Sequence, residues 1–309
     1  MITNHPLSGV YAAAVTPINQ DQSIALGDIP EYLAFLAKQG CHGALLLGTT
    51  GEGPSFSTDE RLAIFRAGRQ VWEVHPDFRL FAGTGTPSLE ETIFLTKSAY
   101  DLGYTATVVL PPYYFHQATE DGLLSWYQEL INRAVPIDGY LLGYHFPAQS
   151  RVPIPLDVLT RLRRLYPAQF VGMKDSTTNA EYAYQVGQNL DGNILVLVGN
   201  DKLLLETLDA GASGCITAMA NLHSQTLREI WESHRRGISN QNAQDYICAQ
   251  RGVLDSYRPF PGTIKFLLAE LHGFPSWSVR PPLTQLPPDD YSSLVQMMRE
   301  ITIQLDKRS

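Results

Sequence analysis

Short apolar runs rich in β-branched residues alternate with longer amphipathic stretches from the N-terminus to about residue 217, the pattern of strands each followed by a helix. The runs are Val10 to Val15, Ala44 to Leu47, Leu80 to Ala82, Ala106 to Leu110, Tyr140 to Tyr144, Phe170 to Lys174, Ile194 to Val198 and Gly214 to Thr217, eight in all. Their spacing, near thirty residues, leaves room for one helix between successive strands. Eight such units close into a parallel barrel, so the expected class is α/β and the expected fold a (β/α)8 TIM barrel. An open doubly wound sheet is the alternative. Such a sheet usually has a Gly-rich first turn, and Thr16-Pro17-Ile18-Asn19 is not one.

The helices carry their own punctuation. Ser57-Thr58-Asp59-Glu60 precedes the periodic Leu62, Ile64 and Phe65, and Thr178 followed by Glu181 has the spacing of a capping box. After the eighth run the pattern turns purely helical, over Leu227 to Trp231, Ala243 to Leu254, Ile264 to Leu271 and Tyr291 to Leu305, interrupted by Pro259 to Gly262 and the turn-rich Phe274 to Pro288. The chain therefore divides into a barrel, residues 1–222, which holds the site, and a C-terminal helical extension, residues 223–309. That extension is too small and too closely linked to be read as an independent domain.

Composition narrows the function. A net charge of -8, with 17% charged residues and no cluster of Lys and Arg, argues against a nucleic-acid groove or a polybasic membrane surface. Small molecules and copies of the same chain are the expected partners. No apolar run approaches the ~18 residues of a membrane span, and Met1-Ile2-Thr3-Asn4-His5 lacks a basic-then-apolar export signal, so a cytoplasmic location is expected. Cys41, Cys215 and Cys248 are widely separated and read as reduced, mostly buried residues. The eight histidines are scattered, and nothing nominates a metal site.

Of six lysines, Lys38, Lys97, Lys202, Lys265 and Lys307 have ordinary solvated readings. Lys174 does not, because it ends the apolar run Phe170-Val171-Gly172-Met173-Lys174. An apolar setting disfavours the charged form of an amine, and a neutral amine can attack a carbonyl to make a Schiff base. The bland reading is a strand lysine paired with a carboxylate such as Asp175. Neighbours on a strand point to opposite faces, however, so Asp175 is better placed to cap the following helix. In a barrel the site lies at the carboxyl ends of the strands. Lys174 and Tyr144 end neighbouring strands, about 4.8 Å apart, and Gly48-Thr49-Thr50-Gly51-Glu52 leaves the second. Tyr144 then reads as a general acid/base with a threonine hydroxyl as relay, and the loop as a carboxylate cradle or a mere βα turn. Glu52 reads as a structural or helix-entry carboxylate, and Tyr113-Tyr114 as a packed aromatic loop.

Together these residues resemble the dihydrodipicolinate synthase and N-acetylneuraminate lyase family of Schiff-base aldolases. The resemblance spans essentially the whole chain. Its motifs are Thr16-Pro17, Gly48-Thr49-Thr50-Gly51-Glu52, Ala82-Gly83-Thr84-Gly85, Pro112-Tyr113-Tyr114, Tyr144 with Pro147, Gly172-Met173-Lys174-Asp175, Gly214-Cys215-Ile216-Thr217 and Arg280-Pro281-Pro282-Leu283. The resemblance implies Lys174 as the pyruvate-binding lysine and Tyr144 as the proton-transfer phenol. It implies Thr49 and Thr50 holding the pyruvate carboxylate, Thr49 linking Tyr144 to Tyr114, and Ile216 lining the pyruvyl pocket. Tyr114 would arrive from a neighbouring subunit of a dimer of dimers.

The departures matter as much. Members that condense pyruvate with aspartate semialdehyde carry an arginine two residues after the proline of Tyr-x-x-Pro; here Gln149 stands there, with Arg151 two residues on. Thr58 and Pro87 replace the histidine and asparagine of lysine-inhibited synthases, so feedback by lysine is not expected. Gly199-Asn200-Asp201 and Gly211-Ala212-Ser213-Gly214 carry no companion basic residue beyond Lys202, which disfavours phosphorylated substrates. The expected activity is a cofactor-independent lyase that reversibly cleaves a 2-keto-3-deoxy sugar acid or related 2-oxo acid to pyruvate and an aldehyde. The alternatives are a dihydrodipicolinate synthase with a rearranged clamp, a dehydratase using the same imine, and a non-catalytic sensor of pyruvate-like acids.

Overall fold

The computed structural model describes residues 5–190, 192–257 and 260–306. Strands β1 (Gly9–Ala13), β2 (Gly43–Leu46), β3 (Arg79–Gly83), β4 (Ala106–Val109), β5 (Tyr140–His145), β6 (Phe170–Asp175), β7 (Leu195–Val198) and β8 (Gly214–Thr217) close into one parallel barrel in chain order. The expected barrel is the fold. The run that begins the chain is shorter in the sheet than its sequence suggested, since Ala14 and Val15 are apolar but already belong to the following loop.

Helices α1 (Asp28–Lys38), α2 (Thr58–Gly68), α3 (Leu89–Asp101), α4 (Glu120–Ala134), the single turn α5 (Pro147–Ser150), α6 (Leu156–Leu165), α7 (Glu181–Asn189) and α8 (Leu204–Asp209) fill the crossovers. Helix α9 (Ser224–Arg235) follows β8 and is tied beneath α1 and β8: Trp231 Nε1 donates to Ser213 O at 3.1 Å, and Arg228 Nη1 to Gly40 O at 3.0 Å. Helices α10 (Gln241–Asp255), α11 (Phe260–His272) and α12 (Tyr291–Asp306) complete the described chain. One hydrophobic cluster runs without a break from barrel residues such as Val10, Ala44 and Leu80 through Leu254, Ile264, Leu267 and Met298 of these last helices.

Strand alternation separates two kinds of core. Ala13, Leu45, Val108, Leu142, Tyr144, Leu197 and Ile216 face the barrel interior, while Val10, Ala44, Val109, Leu141, Met173 and Val196 face the helices. The register of β5 on β6 is irregular at one point: Leu141 pairs with Phe170 but Leu142 pairs with Gly172, leaving Val171 extra. A period-two reading from the outward Phe170 puts Lys174 outside; the extra residue reverses the parity and turns Lys174 inward beside Tyr144 and Leu197. Glycine is required at this step, because a Cβ on Gly172 would lie 2.0 Å from Leu195 O.

The cap expectations have different outcomes at α2 and α7. Ser57 and Glu60 form a reciprocal capping box at the start of α2. At α7 the N-cap is Ala180 with no side-chain cap, so neither Thr178 nor Asp175 caps that helix. Asp175 is still within β6, and its short side chain reaches only two residues on, accepting from Thr177 N at 3.1 Å and Thr177 Oγ1 at 3.0 Å. Met1 to Asn4, Pro259 and Lys307 lie outside the described residues.

Candidate active site

At the carboxyl ends of β5 and β6 the apolar barrel interior gives way to a line of polar atoms. Lys174 Nζ lies 3.3 Å from Tyr144 OH and 4.3 Å from the centre of the Tyr144 ring, and both residues are buried. Thr49 Oγ1 lies 3.1 Å from the same phenol oxygen. The three groups form a continuous amine, phenol and hydroxyl chain drawn from β6, β5 and the loop after β2. Thr50 is buried in that loop, and Ile216 of β8 is part of the same interior cluster as Tyr144. Among the described residues no carboxylate forms an ion pair with Lys174. Asp175 points to the helix side, where burial pushes its carboxyl up to about 6 against the hydrogen bonds from Thr177.

The loop carrying Thr49 is fixed from several directions. Glu52 N donates to Thr49 O at 3.1 Å, Gly53 N to Gly48 O at 3.1 Å, and Thr16 Oγ1 to Gly51 O at 2.7 Å. Gly53 and Gly83 both approach the Leu47 carbonyl so closely that a Cβ would sit 2.2 and 2.4 Å from its oxygen. Glu52, at the left-handed φ of 56°, turns its side chain away from the mouth and into the protein. There one carboxylate oxygen is 2.5 Å from Lys265 Nζ, and the other accepts from Arg280 N at 3.0 Å. The structural reading of Glu52 holds.

The solvated reading of Lys265 is overturned. Its side chain is wholly buried, donating also to Ser278 O at 2.6 Å, and burial pulls its pKa down against the opposing pull of Glu52. The signal was present: Lys265 stands inside Ile264-Lys265-Phe266-Leu267-Leu268, an apolar run like the one that singled out Lys174. Arg280, quoted above only as part of a motif, spans Glu60 at 2.6 and 2.9 Å, Ser55 O at 3.1 Å and Gln22 O at 3.0 Å. Its hydrogen bond pulls the Glu60 carboxyl down to about 2.

Other expected residues lie apart from these three groups within the single chain. Tyr114 is 72% exposed and meets Phe115 edge-on, far from the packed loop of the bland reading. Gln149 and Arg151 are exposed at α5. Phe146, not singled out beforehand, stacks on Tyr144 at 5.8 Å. Near Asp201 the sequence reading missed Arg251, which reaches in from α10 and pairs with Asp201 and with Asp255 at 2.8 Å, while Lys202 pairs with Asp255 at 2.6 Å. Both cations are thereby already partnered. No helix among the described residues is long and apolar enough to cross a membrane, and no group of three or more His, Cys, Asp or Glu among them is placed to hold a metal ion.

A parallel barrel with a buried lysine touching a tyrosine at its carboxyl mouth has the arrangement that imine chemistry calls for. The chain belongs to the Dihydrodipicolinate synthetase family, whose sequence profile matches residues 6–301. It is a lyase of that family, an aldolase. It is 32% identical to an uncharacterized DapA-like lyase of Chloroflexus aurantiacus, over 93% of this chain and 94% of that one. It is 30% identical to the 4-hydroxy-tetrahydrodipicolinate synthase of Corynebacterium urealyticum, over 94% of each. The chloride-inhibited dihydrodipicolinate synthase of Acinetobacter baumannii, solved as a complex with pyruvate, superposes with a TM-score of 0.87 at 26% identity, over 96% of this chain and 99% of that one.

Burial on the helix side of the barrel also sets an acid limit to stability. His42, His145 and His223 are each pushed down from 6.5 to about 4, chiefly by desolvation. Between those values the unfolded chain binds more protons, so this stability is complete above 6.5 and is lost as pH falls through about 4. Asp175, raised from 3.8 to about 6, acts oppositely, its contribution being lost as pH rises through about 6. His145 Nδ1 accepts from Ile154 N at 3.1 Å, a role that an asparagine amide oxygen can fill. His145→Asn is expected to flatten the decline of Tm between pH 6.5 and 4; an unchanged slope would show that His145 is not held neutral.

Proposed function

We propose that this lyase reversibly cleaves a 2-keto-3-deoxy sugar acid or a related 2-oxo acid to pyruvate and an aldehyde. The observation that carries the reading is the 3.3 Å contact of Lys174 Nζ with Tyr144 OH inside an apolar barrel. The Lys174 amine adds to C2 of the 2-oxo acid, and loss of water leaves a protonated imine that serves as the electron sink. Tyr144 takes the proton of the C4 hydroxyl as the C3–C4 bond breaks; the aldehyde departs, and C3 becomes the enamine carbon. Protonation at C3 and hydrolysis of the imine release pyruvate and restore the amine. Thr49, at 3.1 Å from the phenol, relays the proton, while Thr50 and the Gly48 amide hold the carboxylate and Ile216 lines the methyl side. The pyruvate complex of the Acinetobacter baumannii relative supports the choice of pyruvate. No cofactor is required by this sequence of steps.

Borohydride reduction in the presence of pyruvate is expected to mark Lys174, as located by peptide mapping, and Lys174→Ala to abolish both adduct and turnover. Tyr144→Phe should keep the adduct and lose about ten- to a thousandfold in kcat. An adduct on another lysine, or none in active enzyme, overturns the mechanism.

Gln149 bears on the second substrate. A neutral amide can hydrogen-bond a hydroxyl but lacks the bidentate, charge-assisted grip of arginine on a carboxylate, a difference of about 1.5–3 kcal/mol. Aspartate semialdehyde is therefore expected to be a poor partner, improved by Gln149→Arg. Comparison of kcat/KM for the semialdehyde and for a polyhydroxylated 2-keto-3-deoxy acid in both proteins decides it, and a native preference for the semialdehyde would restore the synthase reading.

The exposure of Tyr114, 72% in the single chain, supports its proposed use across a two-fold interface, with a tetramer as a pair of such dimers. Mixing inactive Lys174→Ala and Tyr114→Phe subunits should restore partial activity, because mixed dimers regain one intact site. No recovery despite confirmed subunit exchange would place the action of Tyr114 within its own chain.

A further inference from the structure

Glu52 and Lys265 form a wholly buried ion pair, 2.5 Å apart, between the end of the Thr49 loop and helix α11. Buried pairs are weak evidence for stability, since well-packed apolar groups of similar size often serve as well. This pair also links the Thr49 loop to helix α11 through directional contacts. Each partner is tied on its far side, Lys265 to Ser278 O at 2.6 Å and Glu52 to Arg280 N at 3.0 Å. On its near side, Glu52 N donates to Thr49 O at 3.1 Å, the carbonyl of the same residue whose hydroxyl contacts Tyr144.

We propose that Glu52 and Lys265 are positioning residues for the reaction: through them the C-terminal helices set the Thr49 hydroxyl within reach of the Tyr144 phenol. Neither touches substrate. Glu52 itself sits in a left-handed conformation that its hydrogen bonds help to hold. A displacement of about 1 Å in such a relay is enough to slow proton transfer by a hundredfold.

The inference rests on the imine reading of Lys174, so the test separates the two. Pyruvate methyl exchange in D2O, followed by NMR, reports enamine formation without any aldehyde, and borohydride trapping reports the imine alone. The double variant Glu52→Gln/Lys265→Met removes both charges and leaves none unpaired. It is expected to unfold cooperatively near the native Tm and to trap pyruvate on Lys174 to the native extent, yet to exchange about tenfold or more slowly. Adding Thr49→Val to it should then bring little further loss, because the two changes break one relay. Glu52→Asp, which keeps the charge but shortens the reach, is the second variant and should show the same split. Native exchange rates in either folded variant, or a Thr49→Val loss that multiplies in full on the double variant, would overturn the proposal. Absence of both trapping and exchange in the native protein would instead overturn the imine reading.

Discussion

The extra residue at Val171 is the constraint on which the site depends. Strand parity is unforgiving: a slip of one residue moves every side chain to the opposite face. Phe170 must face the helices to fill their core, and Lys174 must face the barrel to meet Tyr144, yet four residues of plain alternation would put them on the same face. The bulge reconciles them, and Gly172 makes it possible because the carbonyl of Leu195 occupies the space a side chain would need. Once the parity is reversed, the pairing Tyr144↔Lys174↔Leu197 follows from the ladder itself.

The second dependence runs through the helices beyond the barrel. The βα loop that carries Thr49 is held by its own hydrogen bonds and, in addition, from more than two hundred residues away in sequence. Lys265 and Arg280 enter from α11 and the segment after it, one to the Glu52 side chain and the other to Glu60 at the start of α2. Buried charges of this kind are tolerated only when each is paired and its remaining hydrogen-bonding capacity is used, as the contacts to Ser278 O and Arg280 N do here. The continuous hydrophobic cluster from Val10 to Met298 is the apolar counterpart of the same attachment.

What the sequence made legible was periodic or local. Eight apolar runs at regular spacing gave the barrel, and a lysine closing one of them drew attention to Lys174. Lys265 was misread although it interrupts an apolar run in the same way, because helical periodicity offers a solvated face and nothing local names Glu52 as its partner. Thr178 and Asp175 failed as caps because sequence spacing does not reveal where a strand stops, and β6 runs one residue past Lys174. The position of Tyr114 was equally hidden, since an aromatic, proline-led loop reads as packed whether its contacts lie within the chain or beyond it.

Alternation also explains how an amine and a carboxylate can be consecutive in the chain without neutralising one another. Two unit charges about 4 Å apart attract by about 4 kcal/mol at the effective dielectric of a partly buried site. A carboxylate at that distance inside the barrel would hold the ammonium of Lys174 against any incoming ketone. Asp175 is on the other face, engaged by Thr177 and buried among helix-side groups. Lys174 has the Tyr144 phenol as its neighbour instead, 3.3 Å away. The same bulge that turns the lysine inward therefore turns the adjacent acid outward, and one extra residue in β6 sets both the reach of the amine and its separation from Asp175.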